Sequence, residues 1–477
     1  MMQLNKLDSK IESYRDDIIS TLQDLLKIKS VEQTSRPGMP FGPGVNEALE
    51  YILECGTKNG LNAKNVDGYA GHLELGKGPK MAASLCHLDV VPAGDGWDYE
   101  PFAGTVENGK IYGRGSVDNK GPAVIMLYVL KALKETNFSL NKKMRVIYGT
   151  NEESGWGGIN YYLDKEQIPD MAFSPDANFP VIHAEKGILV FEIKKTFSAV
   201  SENKETGRLK IKKIQGGNAH NMVPDYCEAH LETNIADELK RNIERKIEES
   251  KFKLEIEKTD DKNLLLKSYG VSAHGSTPEE GTNAVSCLMV FLNSLITEKK
   301  INEIENFVQF YAQKIGLDDF GENINCYFED DVSGKLKFNP GIIELNEKEV
   351  SLKINIRYPV TYSDSDILNR IEKEIAEFDL NLNVNLHYEP LYFQLDDPLI
   401  KTLNDVYNQV TGDDLTPIAI GGGTYARAID NAAAFGPLFP GRKQLAHRKN
   451  EYIAIDDLIQ AAKIYARAFA KMGSKEF

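Results

Sequence analysis

The sequence is poor in cysteine, and the cysteines it has are not arranged for a disulfide frame or a zinc ribbon. They are odd in number, scattered, and never spaced as C-x-x-C: Cys55, Cys86, Cys227, Cys287 and Cys326. This usage is typical of reduced thiols in a cytosol. We therefore expect a cytoplasmic protein.

Long hydrophobic runs and basic stretches are also missing. The most continuous apolar segment, VIMLYVL, is far too short to cross a bilayer. The first residues, MMQLNKLDSKIESYRDD, contain no apolar core of a signal peptide. With 56 basic against 71 acidic residues the net charge is -15, so no basic stripe could neutralise nucleic-acid phosphates. We expect neither a membrane nor a nucleic acid as partner.

What the sequence does have is enough apolar material for two domains. At 477 residues the chain is longer than a domain with one ordinary hydrophobic core. Its content of 42% hydrophobic and 27% charged residues is typical of a globular protein. From MAASLC to FSPD, strand-like and helix-like runs alternate, which predicts an α/β fold with a mostly parallel sheet flanked by helices. From Ala184 onwards the alternation of polar and apolar residues, clearest in VSLKINIRYPV, indicates half-exposed antiparallel strands. We expect residues 1–183 and 389–477 to form one domain and residues 184–388 to form an inserted α+β domain.

The inserted segment contains a weak internal repeat. CEAHLETN, LKRNIERKIEES and FKLEIEK follow one another as strand, helix and strand, and so do VSLKINIRYPV, ILNRIEKEIAEF and LNLNVNLHYE. Two such units predict a duplicated α+β module in the inserted domain.

Candidate metal ligands begin at the end of the first buried strand. MAASLC leads into His87-Leu88-Asp89, and residues two apart on a strand point to the same face. A metal-bound histidine usually gives its second ring proton to a carboxylate, which is the role we expect for Asp89. A single H-x-D is common by chance, so this pair depends on its neighbours.

Further acidic positions follow other strand-like runs, and one histidine lies near the other end of the chain. They are Asp118 in GRGSVDNKGP, Glu152 and Glu153 in TNEESGWGG, Asp176 in FSPDANFP and the distant His447 in LAHRKNE. Such positions suggest ligands that converge at one edge of a parallel sheet. Alone, each is better explained as a turn former or a solvated loop charge.

These residue types suit two cations held by mixed histidine and carboxylate ligands. Asp118, central in the set, is the best candidate for a bridge. One metal would then take His87 and Asp176, and the other Glu153 and His447. The neighbouring Glu152 would point elsewhere and act as general base towards the metal-activated water.

The stretches HLDVVPAGDGWDYEPFAG, GRGSVDNKGP, TNEESGWGG, SPDANFP and PGRKQLAHRKNE together resemble the co-catalytic di-metal peptidase family. That family includes aminoacylase, carboxypeptidase G and succinyl-diaminopimelate desuccinylase, and the resemblance is closest to the PepV-type bacterial dipeptidases. It implies that Asp118 bridges the metals and forms a cis peptide bond with Asn119. It assigns the base role to Glu152 and a supporting role to Asp89.

The resemblance also implies that residues 1–183 and 389–477 form the metal-binding catalytic domain and that the insert, residues 184–388, is a lid domain. Such a lid supplies residues that bind the substrate. His274 in VSAHGSTPEEGTNA would stabilise the tetrahedral oxyanion. Arg357 and the glycine loop would hold the substrate carboxylate, and Asn221 would lie near the substrate; the loop glycines are Gly421, Gly422 and Gly423. Without the resemblance, His274 would more often be a surface histidine in a Gly/Ser/Pro loop, and Arg357 could as easily be a surface charge on a strand.

We therefore expect a metal-dependent dipeptidase that hydrolyses unblocked dipeptides and acts as a monomer. Zinc is the expected metal, although manganese and cobalt suit the same ligands. One alternative is an N-acyl-amino-acid deacylase with the same metal chemistry. Another is a catalytically silent metal-binding or interaction protein. The presence of Glu152 and His274 argues against it, because a protein that only binds a metal or a partner needs neither residue.

Overall fold

The computed structural model describes residues 2–198, 209–296 and 302–474, which form two compact units. The first unit contains the chain up to His183, Tyr392–Ile418 and the chain from Gly423 onwards. The second contains Ala184–Leu391 and the short segment Ala419–Gly422. Relative to the expected division at 184–388, the second unit also includes residues 389–391 and 419–422.

The bounds of the regular elements follow in chain order. The helices are α1 Met2–Ser13, α2 Arg15–Lys27, α3 Pro43–Lys58, α4 Lys120–Glu135, α5 Gly157–Lys165, α6 Ala236–Glu249, α7 Ala284–Leu295, α8 Glu303–Phe310, α9 Asp364–Ala376, α10 Pro398–Thr411 and α11 Ile455–Met472. The strands up to the second unit's first long strand are β1 Asn62–Val66, β2 Ala70–Leu75, β3 Met81–His87, β4 Thr105–Glu107, β5 Lys110–Tyr112, β6 Lys143–Gly149, β7 Met171–Ser174, β8 Ala177–Asn178, β9 Val181–Glu185 and β10 Gly187–Thr196. The later strands are β11 Lys210–Gly216, β12 Tyr226–Glu232, β13 Lys253–Lys258, β14 Asn263–Tyr269, β15 Glu329–Asp330, β16 Gly334–Lys335, β17 Lys337–Leu345, β18 Glu349–Tyr358, β19 Asn381–Tyr388, β20 Leu391–Tyr392, β21 Ile418–Ile420, β22 Ala432–Phe435, β23 Pro437–Leu438 and β24 Tyr452–Ala454.

The main sheet of the first unit has a parallel centre. Its strand order is β1-β2-β6-β3-β7-β22-β9-β20, and the four strands β6, β3, β7 and β22 run parallel to one another. Antiparallel pairs extend it on both sides, namely β1 with β2, β2 with β6 and β22 with β9. This arrangement confirms the α/β class. It also brings the carboxyl ends of β3, β6 and β7 to one edge of the sheet, where ligand sites of such sheets lie.

Helix α4 is the central helix of this unit. Its sequence KGPAVIMLYVLKALKE is apolar almost all round, and it is buried from Lys120 to Leu130 against the sheet and against α2 and α11. Pro122 lies in the first turn, where its missing N–H has no helical partner to lose. The wholly buried Lys120 donates from Nζ to the carbonyls of Leu25 (3.1 Å) and Ile28 (2.6 Å), which ties the start of α4 to the end of α2. The turn that precedes α4 is therefore anchored.

The second unit contains an eight-stranded sheet of order β13-β14-β12-β11-β17-β18-β10-β19. All of its pairings are antiparallel among the residues the structure describes. Outwards from the central β11–β17 pair, each half has the same succession: β11, β12, β14, β13 on one side and β17, β18, β10, β19 on the other. The predicted repeat corresponds to β12-α6-β13 and β18-α9-β19, so the duplicated module is present.

The helices of the two halves each bury one apolar stripe. In α9 the stripe consists of Ile367, Ile371 and Ile375, spaced four residues apart, while Glu372 faces solvent. The helix begins at a capping box, in which Ser363 and Asp366 satisfy each other's main-chain N–H groups. In α6 the corresponding buried residue is Ile243.

None of the helices within the described ranges is both long and apolar enough to cross a membrane.

Replacing Ile371 by alanine should destabilise the second unit, because this side chain is fully buried in its core. We expect Ile371→Ala to lower the free energy of unfolding by about 2–5 kcal/mol. The measurement is chemical denaturation followed by circular dichroism. The control is Glu372→Ala on the exposed face of the same helix, for which little change is expected. Equal effects of the two substitutions would contradict this packing.

Candidate metal centre

His87 lies at the carboxyl end of β3 and is almost completely buried. Its Nδ1 is 3.0 Å from the main-chain oxygen of Asp89, and because a carbonyl can only accept, Nδ1 carries the proton. That leaves Nε2 to face two carboxylates, Asp118 Oδ1 at 3.0 Å and Asp176 Oδ2 at 3.5 Å. The ring is thus oriented as a metal-bound histidine normally is.

Asp118 lies in the turn before α4, and its peptide bond to Asn119 is cis. One carboxylate oxygen faces His87, and the other, Oδ2, is 3.1 Å from His447 Nε2. Asn119 donates from Nδ2 to the carbonyl of Pro175 (2.6 Å) and to Asp176 Oδ1 (3.2 Å). These two hydrogen bonds fix the loop after β7 against the turn that contains Asp118.

Glu153 completes the cluster in the loop after β6. Its Oε2 is 2.9 Å from His447 Nε2. Two triads of possible ligands result, with donor atoms in each within 4.8 Å of one another: His87, Asp118 and Asp176, and Asp118, Glu153 and His447. Asp118 belongs to both triads, at the position where the sequence analysis expects a bridge.

Asp89 links the histidine strand to the glutamate loop. Its two carboxylate oxygens accept the main-chain N–H groups of Glu152 and Glu153, each at 3.0 Å. Its Oδ1 is also 3.5 Å from His87 Nδ1, farther than the main-chain oxygen of the same residue. Asp89 therefore orients the loop as directly as it orients the histidine.

The carboxylates repel one another in a buried space. Burial, followed by the charge of Asp118, raises the pKa of Glu153 to about 7 and that of Asp176 to about 6. Burial also raises the pKa of Glu152 well above its usual range, and its acidic neighbours add to this effect. Although burial opposes ionisation of Asp118, hydrogen bonds from His447 and His87 hold its pKa well below the usual range.

The pKa values of the two histidines are also raised, which favours their charged form. Burial alone would lower the pKa of His447, but its hydrogen bonds to Asp118 and Glu153 raise it to about 11. His87 has its pKa raised well above the ordinary value, because Asp176 and Asp118 outweigh the effect of burial. The cluster as a whole attracts positive charge.

The donor set fits divalent cations. Carboxylate oxygens and imidazole nitrogens are ligands that zinc, manganese and cobalt share. Glu153 Oε1 is buried and has no hydrogen-bond partner among the residues described, an arrangement that is costly unless a cation compensates it.

Sequence analysis did not identify three buried residues that support this cluster. Glu451 is wholly buried and accepts hydrogen bonds from the turn that contains Asp118, and Arg114 pairs with it at 2.7 Å. The buried ring of Tyr425 lies edge-on to His87, with centroids 6.2 Å apart, and packs on Gly149, where a Cβ would meet it at 2.5 Å. An acidic residue four positions after a ligand histidine and a tyrosine after a glycine loop carry no signal that is specific enough to identify them.

The expected substrate-binding residues lie mostly in the second unit. Arg357 donates from Nε to Asn355 Oδ1 (3.0 Å) and from Nη1 to the carbonyl of Gly421 (3.2 Å). A Cβ on Gly421 would lie 3.0 Å from the Cβ of Ser276, so this glycine approaches the His274 loop closely. Gly422 belongs to the same unit, whereas Gly423 belongs to the first.

The other two expected residues of this group are neighbours. His274 Nδ1 is 2.6 Å from Ser276 Oγ, and the carbonyl of Asn221 accepts the N–H of Gly275 at 2.7 Å. The second unit thus gathers Arg357, Gly421, His274 and Asn221. The roles expected for them remain predictions.

Comparison with known proteins supplies the family. Peptidase family M20/M25/M40 matches residues 83–471. A Bacillus subtilis protein named "Putative dipeptidase YtjP" is 40% identical over 470 residues, covering 96% of this chain and 97% of that protein. A "Putative dipeptidase" of Staphylococcus epidermidis is 38% identical over 465 residues, with coverage of 96% and 97%.

Solved structures share the fold. Human carnosine dipeptidase 1 superimposes with a TM-score of 0.60 at 16% identity, covering 98% of each chain. The di-peptidase Dug1p from Saccharomyces cerevisiae gives 0.58 at 15% identity, again with 98% of each chain covered. The family match over most of the sequence is decisive: this chain belongs to peptidase family M20/M25/M40, a family of metal-dependent hydrolases that act on peptide bonds.

Proposed function

We propose that the chain is a metal-dependent dipeptidase that hydrolyses small, unblocked dipeptides. The observation that carries this proposal is the pair of donor triads that share Asp118, with the half-buried Glu152 next to them. The names of the Bacillus and Staphylococcus relatives support dipeptides as the substrate class.

His87, Asp118 and Asp176 would hold one divalent cation, and Asp118, Glu153 and His447 the second. When bound, such a pair supplies Lewis acidity that lowers the pKa of a water molecule and polarises the scissile carbonyl. We propose zinc as the ion, with manganese and cobalt as the other candidates for these ligands.

Glu152 would move the proton. Asp89 accepts its main-chain N–H, which fixes the backbone from which the side chain projects. The carboxylate of Glu152 would take a proton from the attacking water and pass it to the leaving amine. A pKa raised by burial suits the second half of this task, because the protonated acid must then be available as a donor.

Residues 184–388 would act as the lid domain over the catalytic domain formed by 1–183 and 389–477. His274 would donate a hydrogen bond to the developing oxyanion. Arg357 would hold the substrate's terminal carboxylate together with Asn221 and the glycine loop, Gly421 to Gly423. A group that must pair with a carboxylate selects substrates with a free carboxyl end.

We further propose that the enzyme acts as a monomer in the cytoplasm. All five cysteines are unpaired, which fits a reducing compartment. The duplicated module supplies two copies of the lid element within one chain, so no second subunit is needed to provide one.

Glu152→Gln should abolish turnover without removing the metal ions. Because glutamine cannot accept the proton, we expect kcat for an unblocked dipeptide to fall by about 10²- to 10⁴-fold. The measurements are amine release and metal content by mass spectrometry on the same preparation. Chelation should abolish wild-type activity as well.

The control for this variant is Asp164→Asn, which changes an exposed acid on α5. It should leave turnover unchanged. Full activity of Glu152→Gln would show that another group is the base.

Arg357→Met should weaken selection of the free carboxylate. Loss of a charged hydrogen-bonded pair of about 1.5–3 kcal/mol should lower kcat/KM for a dipeptide by about 10- to 100-fold. The same variant should change little towards the corresponding dipeptide amide, which is already a poor substrate. A panel that includes N-acetyl amino acids distinguishes the dipeptidase from the deacylase.

Lys353→Met, a cation four residues earlier on β18, is the matched control and should affect neither substrate. Equal losses on dipeptide and amide in Arg357→Met would contradict the proposed carboxylate contact. Faster cleavage of N-acetyl amino acids than of dipeptides would favour the deacylase.

A further inference from the structure

A buried carboxylate holds the turn that contains Asp118. Glu451 is completely buried, and its Oε1 accepts the main-chain N–H groups of Gly115 (3.1 Å), Val117 (2.9 Å) and Asp118 (3.3 Å). A carboxylate that accepts several N–H groups is a strong and directional anchor. Its position therefore fixes the main chain from which the Asp118 side chain projects.

The partner of this carboxylate is equally buried. Arg114, 1% exposed, donates from Nη1 to Glu451 Oε2 at 2.7 Å. The same guanidinium also donates to main-chain carbonyls of two other segments. These are Arg448 (3.3 Å) and, from Nη2, Pro92 (3.4 Å) and Ala93 (3.3 Å).

The segments joined in this way carry or follow three of the five candidate ligands, His87, Asp118 and His447. Pro92 and Ala93 follow Asp89 in the loop after β3, Arg448 is the neighbour of His447, and Glu451 is four residues beyond it. His447 is far from His87 and Asp118 in the sequence, so nothing local fixes the distances between them. One buried ion pair contacts the main chain of all three segments.

We propose that Arg114 and Glu451 form a positioning pair that sets the separation of Asp118 and His447 and thereby the affinity of the centre for its metal ions. The inference rests on the proposed metal ligands. Neither residue would touch the metal or the substrate. Their effect would pass through the main chain of Asp118 and of the segment 447–451.

Glu451→Gln is the sharpest variant. Glutamine keeps the size and one accepting oxygen, but it removes the charge opposite Arg114 and offers an NH₂ group to donors that need an acceptor. Groups that orient metal ligands typically change affinity by about 10- to 100-fold when altered. We expect the dissociation constant for Mn²⁺ to rise by that factor.

The experiment titrates EDTA-stripped full-length protein with Mn²⁺ and measures the free ion by electron paramagnetic resonance. Circular dichroism confirms that each variant is folded. Arg114→Lys is the second variant, since lysine keeps the charge but cannot span Glu451, Arg448 and the 92–93 carbonyls together. If Glu451→Gln does not fold, a weakened Mn²⁺ affinity in folded Arg114→Lys supports the proposal, and an unchanged one overturns it.

The matched control is Glu74→Gln, which breaks another ion pair of the same unit, between Glu74 on β2 and Arg145 on β6. It should lower the melting temperature without changing Mn²⁺ affinity. A Glu451→Gln protein that behaves like this control, with lower stability and wild-type affinity, would overturn the inference.

A failure of the proposed function looks different. If the wild type binds Mn²⁺ and Glu451→Gln binds it more weakly, the inference holds even when no dipeptide is cleaved. A wild type that binds no Mn²⁺ overturns the metal centre and this inference with it.

Discussion

The structure depends on the crowding of like charges in a buried space. Asp118, Glu153 and Asp176 converge with Glu152 next to two histidines. Burial raises the pKa of Glu152, Glu153 and Asp176, whereas hydrogen bonds from the two histidines outweigh burial at Asp118 and hold its pKa below the usual range. Such a group is unfavourable unless positive charge is supplied to it. The two histidines, which both contact the carboxylate of Asp118, provide part of that charge. Divalent cations would provide the rest. Binding of divalent cations would therefore offset the electrostatic free energy that bringing these carboxylates together costs on folding.

The fold holds this cluster by two means. The parallel strands β3, β6 and β7 end at one edge, so His87 and the loops that carry Glu153 and Asp176 start from neighbouring points, while Asp118 lies in the turn before α4. The loops themselves are then fixed by buried hydrogen bonds: Asp89 holds the loop of Glu152, and Asn119 holds the loop of Asp176. Only His447 comes from a remote part of the chain, and its segment is the one that Arg114 and Glu451 contact.

Much of this arrangement could be predicted from the sequence, and the limits have physical reasons. His87, Glu153 and Asp176 follow strand-like runs, so the edge of a parallel sheet explains their proximity from the sequence alone. Asp118 lies instead in the turn before α4, and the sheet edge does not account for its position. Metal ligands come from few residue types, so they can be recognised in a sequence. Supporting residues cannot be recognised in this way, because a role such as that of Glu451, which accepts main-chain N–H groups, can be filled by any buried acceptor. The candidate ligands can therefore be predicted from the sequence, but the residues that hold them in position cannot.

The second unit shows the same limit. The repeat is visible as strand, helix and strand in each half. In the sheet, however, one further strand lies between the two strands of each repeat, and it comes from a different part of the chain in each half. In one half β14 follows the repeat along the chain, and in the other β10 precedes it. Because hydrophobic periodicity describes each strand and not its neighbours, the sequence predicts the elements of the module without the order of the sheet.

The central claim is that Asp118 bridges two cations, and anomalous X-ray scattering from crystals grown with Mn²⁺ tests it most directly. The account predicts two anomalous peaks about 3.5–4 Å apart, one next to His87 and Asp176, the other next to Glu153 and His447, with the Asp118 carboxylate between them. A single peak, or peaks away from Asp118, would contradict it.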